Sequence, residues 1–493
     1  MIQKYTFILL IAASLGLQAM AQNEADFYTE PSTYGVVKNL VDDYHADGSD
    51  DEDDSAALRS AIADVTATTN GGKIIIPAGT YYFTDVQMNS NVHIEINKDA
   101  IIKPAPVSDT KNHRIFDFTN SSKVIKNVSI QGVDGSFTVD LRNLSNKNFA
   151  VVRFNNAENF LLSNFIVQDD ITKFSCVTFG YGKIGDTYYS PTNGVIKNLT
   201  AYNQHYGYGV IQSQASVNVL FKNLWGDGGV TLRLETGYDK MNELQVGGNF
   251  DTYGRDIYCE NGNAAYMMSP HAIQNGHVDI DGVTAVNCGF AVRIGDGYVK
   301  KDQEEIPGIQ PGTYASTSVV KNVTATYGAT AQVKSKHFKY MPCVLRSLIA
   351  EDYNPDGESY SAPAISAVIN TAEHAAEGTY HVETTNVSNI GFAEQPHAIV
   401  YYEVDCDENS IANNQYSKSI KVFPNPFKQS FTVDVEHDFD FNEIQILNMH
   451  GKIVHSESFV GSTQNLQVDL AKGMYCVKLI GKNKVGVKTI IKN

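Results

Sequence analysis

VIKNVSI at residues 124–130, VIKNLTA at 195–201 and VVKNVTA at 319–325 are one phrase written three times. Looser copies stand between and after them: FLLSNFIV at 160–167, VLFKNLW at 219–225, VDIDGVTA at 278–285 and VETTNVSN at 382–389. Most copies recur every 25 to 40 residues or so, the length of one solenoid coil of two or three short strands. In such a coil β-branched residues face inward and stack on their equivalents above and below. Asparagine suits the corners, because it tolerates left-handed backbone and can hydrogen-bond along the stack. A β-sandwich would also give short strands, but not one phrase repeated at coil spacing. The fold class is therefore all-β, a parallel β-helix.

A solenoid must hide its first coil, because an open end exposes apolar core and an unpaired edge. DSAALRSAIADVT at 54–66 reads as that cap, with Asp54 as N-cap and Ala57, Leu58, Ala61 and Ile62 on one apolar helical face. GGKIIIPAGTYYF at 71–83 then reads as the first strand pair. Cap and strands together resemble the pectin-lyase-like superfamily, which implies a right-handed parallel β-helix and nothing about substrate. The acidic run from Asp47 to Ser55 lacks the glycine and glutamate positions of an EF-hand and reads as a solvated entry loop.

The two ends speak of export. Lys4, an apolar run from Phe7 to Leu17 and Ala19-Met20-Ala21 have the layout of a cleavable signal peptide over 1–21, too short in its apolar part to span a bilayer. The β-helix is then expected over 22–405, a polar linker over 406–419 and a separate unit over 420–493. That last unit opens with VFPNPF, runs through the alternating FTVDVE and EIQILNM, and closes with a basic strand, as a small β-sandwich would. It resembles the carboxy-terminal sorting domain of the type IX secretion pathway, which implies the type IX machinery as a partner. A carbohydrate-binding sandwich is the alternative, though the unit has no tryptophan.

A net charge of -17 argues against nucleic acid as a partner, and no segment after the leader is apolar enough to span a membrane. The six cysteines contain no C-x-x-C pair, which removes the common zinc and thioredoxin-like readings. Export permits disulfides without revealing their pairing, and buried thiols are the alternative for Cys259 and Cys288.

The chemistry concentrates in LWGDGGVTLRLETGYDKMNE at 224–243. Strand alternation sends Val230, Leu232 and Leu234 to the core and turns Thr231, Arg233 and Glu235 outward. An exposed Arg and Glu pair is by itself ordinary surface decoration. GYGVIQSQ at 207–214, VTLRLET at 230–236, SPHAIQNG at 269–276 and VNCGFAVR at 286–293 resemble, in this order and spacing, the iota-carrageenase family of glycoside hydrolases. The resemblance implies an endo-acting enzyme that cuts the β-1,4 linkages of iota-carrageenan, a sulfated galactan, with inversion, in a cleft on the outer face of the helix. Glu235 matches the family's general acid, His271 an active-site histidine, and Gln212 a glutamine that positions water or an ion. No cofactor is required. Bound calcium, sodium or chloride is compatible with the resemblance, but no local spacing specifies metal ligands.

An inverting glycosidase pairs a protonated carboxyl with a second carboxylate roughly 6.5 to 9.5 Å away. The family carries the second one two residues after the acid, where this chain has Gly237. Asp239 would lie about 13 Å off in a straight strand, so it serves as base only if a bulge or a positive φ at Gly237 draws it back. Asp227, on the preceding coil, is the reserve. Arg233, Arg255, Arg293 and Lys300 are the candidate sulfate contacts, Arg being suited to bidentate recognition of planar and tetrahedral anions. VKSKHFKYMPCVLR at 333–346 supplies a second basic group, a candidate loop over an anionic chain. The rivals are a lyase or polygalacturonase on the same fold, and a glycan-binding surface protein without catalysis.

Overall fold

The computed structural model describes residues 22–406, 415–435, 441–449, 451–481 and 484–493. The expected leader at 1–21 and the linker's centre lie outside them.

Every repeated phrase turns a corner at its Asn or Gly. Asn127, Asn164, Asn198, Asn223, Gly282, Asn322 and Asn386 all have positive φ, between 51° and 79°. This is the left-handed region, which costs most L-residues about 1–2 kcal/mol and which Asn and Gly visit most readily. Strand register stacks six of these residues, from Asn164 to Asn386, into one column through Asp256. Side-chain amides bridge successive coils within it: Asn198 Nδ2 donates to Asn164 Oδ1 at 2.8 Å and Asn223 Nδ2 to Asn198 Oδ1 at 2.9 Å. The asparagine of VIKNVSI belongs elsewhere. Asn127 stands in a second column, donating to Asn91 at 3.0 Å and accepting from Asn159 at 3.0 Å. The phrase therefore repeats in wording but is displaced by one corner at 124–130.

Two long parallel sheets result. The larger begins at Val36–Asn39 and ends at Glu383–Ile390. The other stacks ten strands from Val86–Gln87 to Ile399–Val400 and carries the cleft. Apolar side chains fill the space between, with Phe118, Phe154 and Phe179 stacked at centroid spacings of 4.4 and 4.9 Å. The parallel β-helix is thus realised as expected.

Helix Ser55–Ala67 caps the first coil and buries Leu58, Ala61, Ile62 and Val65. Asp54 makes no side-chain cap bond; its carboxylate accepts from the backbone N–H groups of Tyr82 at 3.1 Å and Asp47 at 3.2 Å instead. The solenoid also starts earlier than expected. The short strand Val36–Asn39 pairs with Gly72–Ile76, so residues 71–83 form the next layer.

Residues 420–493 form two antiparallel sheets of three and four strands around Phe431, Val433, Ile444, Ile446, Val477 and Leu479. This unit begins before residue 420, since a single helical turn at Gln415–Lys418 precedes its first strand. Cys406, placed in the linker by sequence, forms a disulfide with Cys343 and so ends the β-helix. Cys176, Cys259 and Cys288 are buried thiols.

Asn198→Ala should destabilise the β-helix by about 2–4 kcal/mol, the sum of the left-handed strain and two lost amide bonds. Asn198→Gly keeps the corner and should cost about 1–2 kcal/mol less. Urea unfolding of the two variants reads the difference, and equal losses would mean that φ plays no part.

Candidate active site

Four strands of the ten-stranded sheet build the floor of the cleft. Their register sets Gln212 beside Arg233, Arg233 beside Met267 and Met267 beside Arg293, in one outward row. Glu235 lies one pleat further on, opposite Ser269. Alternation places Leu232 and Leu234 in the core and Arg233 and Glu235 outside, as expected. Thr231 is the exception: it is fully buried and donates to Tyr258 O at 2.8 Å. Val230, expected in the core, packs instead with Ala264 and Met267 in an apolar cluster apart from the one that holds Leu232 and Leu234.

Glu235 is 12% exposed and gripped from several sides. Its Oε2 meets the Arg233 guanidinium, and its Oε1 accepts from His271 Nε2 at 3.2 Å. Burial alone would raise the carboxyl pKa. The charge of Arg233, the His271 hydrogen bond and the charge of Arg293 outweigh it and hold Glu235 well below the usual carboxylate range. Arg293 is itself fixed, donating from Nη1 to Asn263 Oδ1 at 2.6 Å.

His271 follows Pro270 with φ at 47°, an uncommon conformation for a residue with a Cβ. Its backbone carbonyl accepts from Tyr298 N at 2.9 Å and Gly312 N at 2.7 Å, which pins the ring's origin. Tyr298 packs on the imidazole with centroids 4.6 Å apart, and its hydroxyl lies 3.4 Å from Nε2. The opposite nitrogen, Nδ1, is buried without a hydrogen-bond partner.

Gly237 explains why the ring fits. A Cβ there would stand 2.9 Å from both Cε1 and Nε2 of His271. The imidazole occupies the space that any larger residue at 237 would need. Gly237 has no positive φ, and the strand has already ended at Glu235. The chain instead enters helix Asp239–Leu244, and Asp239 lies at its start, exposed and paired with Lys300. Asp239 is not among the residues that line the cavity around Glu235. Asp227 lies on the other sheet beside Glu260 and accepts from Asn261 Nδ2 at 3.0 Å.

Of the expected sulfate contacts, Arg233 and Arg293 face the cavity. Lys300 stands outside, over Asp239. Arg255 must be corrected: its strand, Gly248–Glu260, belongs to the larger sheet. There it pairs with Asp279 at 3.2 Å and donates to Gln22 Oε1 at 3.1 Å, away from the cleft. The basic segment at 333–346 does reach the cleft. Its turn Ser335–Tyr340 brings Lys336, His337, Lys339 and Tyr340 to the wall opposite Glu235. Sequence reasoning missed Tyr298, Tyr206 and Ser269, none of which lies in a pattern that distinguishes it from a structural residue.

The groove comprises a cavity of about 230 Å³ on the Tyr298 side of Glu235 and one of about 430 Å³ on the Gln212 side. Its donor set is cationic and suits an anion. Among the described residues no group of three or more His, Cys, Asp or Glu side chains is placed to hold a metal ion.

Gly237→Ala should push His271 off Glu235 and lower kcat by about 10- to 100-fold, the usual cost of a misplacement near 1 Å. The melting temperature should barely change, because the site is at the surface of the coil. Steady-state kinetics and a thermal melt together check this.

Residues 39–225 match the family described as rhamnogalacturonase A/epimerase, pectate lyase-like, and 421–493 match the secretion system C-terminal sorting domain. The chain is 36% identical to an iota-carrageenase of Zobellia galactanivorans, across 78% of this chain and 90% of that one. With an iota-carrageenase of Alteromonas macleodii the identity is 32%, across 79% and 91%. A solved 1,3-α-1,4-β-D-galactose-4-sulfate-3,6-anhydro-D-galactose-2-sulfate 4-galactohydrolase superposes with a TM-score of 0.73 at 33% identity, covering 80% of this chain and 96% of that one. An iota-carrageenase solved with iota-carrageenan fragments gives the same TM-score at 31% identity, covering 78% and 95%. With a buried carboxylate held by arginines on the outer face of a parallel β-helix, and with likeness of this extent, the chain belongs to the iota-carrageenase family.

Proposed function

We propose that this protein is an exported endo-hydrolase of the β-1,4 linkages of iota-carrageenan. The observation that carries the reading is Glu235, a buried carboxylate between two arginines in a groove open along the helix axis, in a chain of this family. An open groove admits the middle of a polymer, as endo cleavage requires. The sorting domain at the carboxy terminus supports delivery to the outside of the cell by the type IX route.

Glu235 is the general acid of this reading, which requires a proton, whereas its cationic neighbours favour the carboxylate. Arg233 and Arg293 hold the carboxyl ionised. A sulfated chain brings anions that compete for the same guanidiniums, and charge-assisted pairing with sulfate is among their strongest contacts. Once those charges are neutralised, burial dominates and raises the pKa, so the carboxyl takes up a proton. His271 Nε2, 3.2 Å away, is the adjoining relay. The proton then passes to the glycosidic oxygen as the bond breaks, and water attacks from the opposite side, giving up its own proton to a second base.

Reducing-end assays on purified iota-, kappa- and lambda-carrageenan test the activity; release from iota alone is expected, and no release from any would sink the hydrolase. Glu235→Gln should lose at least about 1000-fold in kcat while still binding the polymer. Substrate binding should take up protons, most strongly at mildly acidic pH, since the carboxyl pKa rises from its depressed value on complex formation. Calorimetry in buffers of different ionisation heat measures the uptake. Glu235→Gln should abolish it.

A further inference from the structure

The row that contains Gln212, Arg233 and Arg293 does not stop at the catalytic groove. Register continues it through Thr178 to Arg153, and from Arg153 to Asp117. Arg153 is three strands from Arg233, about 14 Å at the usual strand spacing. Arg233 and Arg293 are two strands apart, about 10 Å. Three arginines thus recur along one line parallel to the helix axis.

Arg153 opens onto its own cavity of about 400 Å³, which shares Gln212, Gln214 and Tyr238 with the catalytic groove and so continues it. Asp117 holds the guanidinium by its Nε at 3.1 Å and Nη2 at 2.6 Å, which fixes its direction and leaves Nη1 outside the fork. The Arg153 side chain is 34% exposed, enough to meet a ligand. Phe174, Tyr181 and Tyr238 supply aromatic surface around it, and Tyr238 is 53% exposed. A held cation beside aromatic faces matches a sulfated pyranose, which offers an anion and an apolar C–H face together.

We propose that this cavity is a distal subsite in which Arg153 binds a sulfate of the same polysaccharide chain that spans Glu235. The inference rests on the proposed function for the polymer's identity. A chain carrying sulfate on every sugar, as in the galactose-4-sulfate and anhydrogalactose-2-sulfate of the solved relative's name, presents anions repeatedly along its length. Arginines in a line are its complement. Arg153 fixes how far the chain must extend on this side of the scissile bond before it binds at full strength.

The test uses the full chain with Glu235→Gln, which binds without turnover, and a size series of iota-carrageenan oligosaccharides, with Kd measured by calorimetry. Affinity should rise by roughly tenfold at the length that reaches Arg153, the worth of one charge-assisted contact. Arg153→Gln should remove that step and leave shorter oligosaccharides unaffected, and Arg153→Lys should restore part of it. A step of the same size in the Arg153→Gln protein overturns the subsite. A loss that is equal at every length also overturns it, because it marks a structural role shared with Asp117. Absence of any length step in the parent protein overturns it as well. Failure of the native chain to cleave iota-carrageenan would overturn the functional reading instead, and the binding series distinguishes the two.

Discussion

Everything in the cleft depends on coils that cannot slide past one another. Inward β-branched side chains alone would tolerate a slip, because one apolar residue replaces another at little cost. A corner that requires left-handed backbone at one residue per coil does not. When Asn198 sits over Asn164 and under Asn223, each amide closes a hydrogen bond only in that register. Residues remote from the corner inherit the alignment, and Gln212, Arg233, Met267 and Arg293 fall into line without contacting any asparagine column.

On that frame the protein places a charge where burial disfavours it. Glu235 is stable as a carboxylate only because Arg233, His271 and Arg293 surround it. The cost of keeping an ion out of water is offset by partners that the polymer's sulfates can also attract. The charge state of Glu235 therefore depends on cationic partners that an anionic ligand can also engage.

The fold was largely legible in the sequence, because its periodic signal is carried by residue types with few alternatives: Asn and Gly at corners, Val, Ile and Leu between them. What escaped were offsets that a repeat cannot show, such as the displacement of Asn127 to the second column and the early strand Val36–Asn39. The site was legible where side-chain direction follows from strand alternation, as at Arg233 and Glu235. It failed where the chain leaves the strand. Asp239 was expected to return toward Glu235, but a helix begins there and turns it to Lys300. Arg255 was expected in the cleft because its charge suits sulfate, yet its strand belongs to the sheet that holds Gln22. Residue type indicates chemistry, and only the coil path decides which face receives it.

The disulfide between Cys343 and Cys406 joins the basic wall of the groove to the last residues of the β-helix. Lys339 with Glu403 at 2.7 Å and Arg346 with Val404 O at 2.6 Å lie in the same seam. The roof over the substrate is therefore anchored on the near side of the tether that leads to the sorting unit. None of these bonds involves a residue of the sorting unit. The wall of the groove is thus braced entirely from within the β-helix, by a covalent link and two polar contacts.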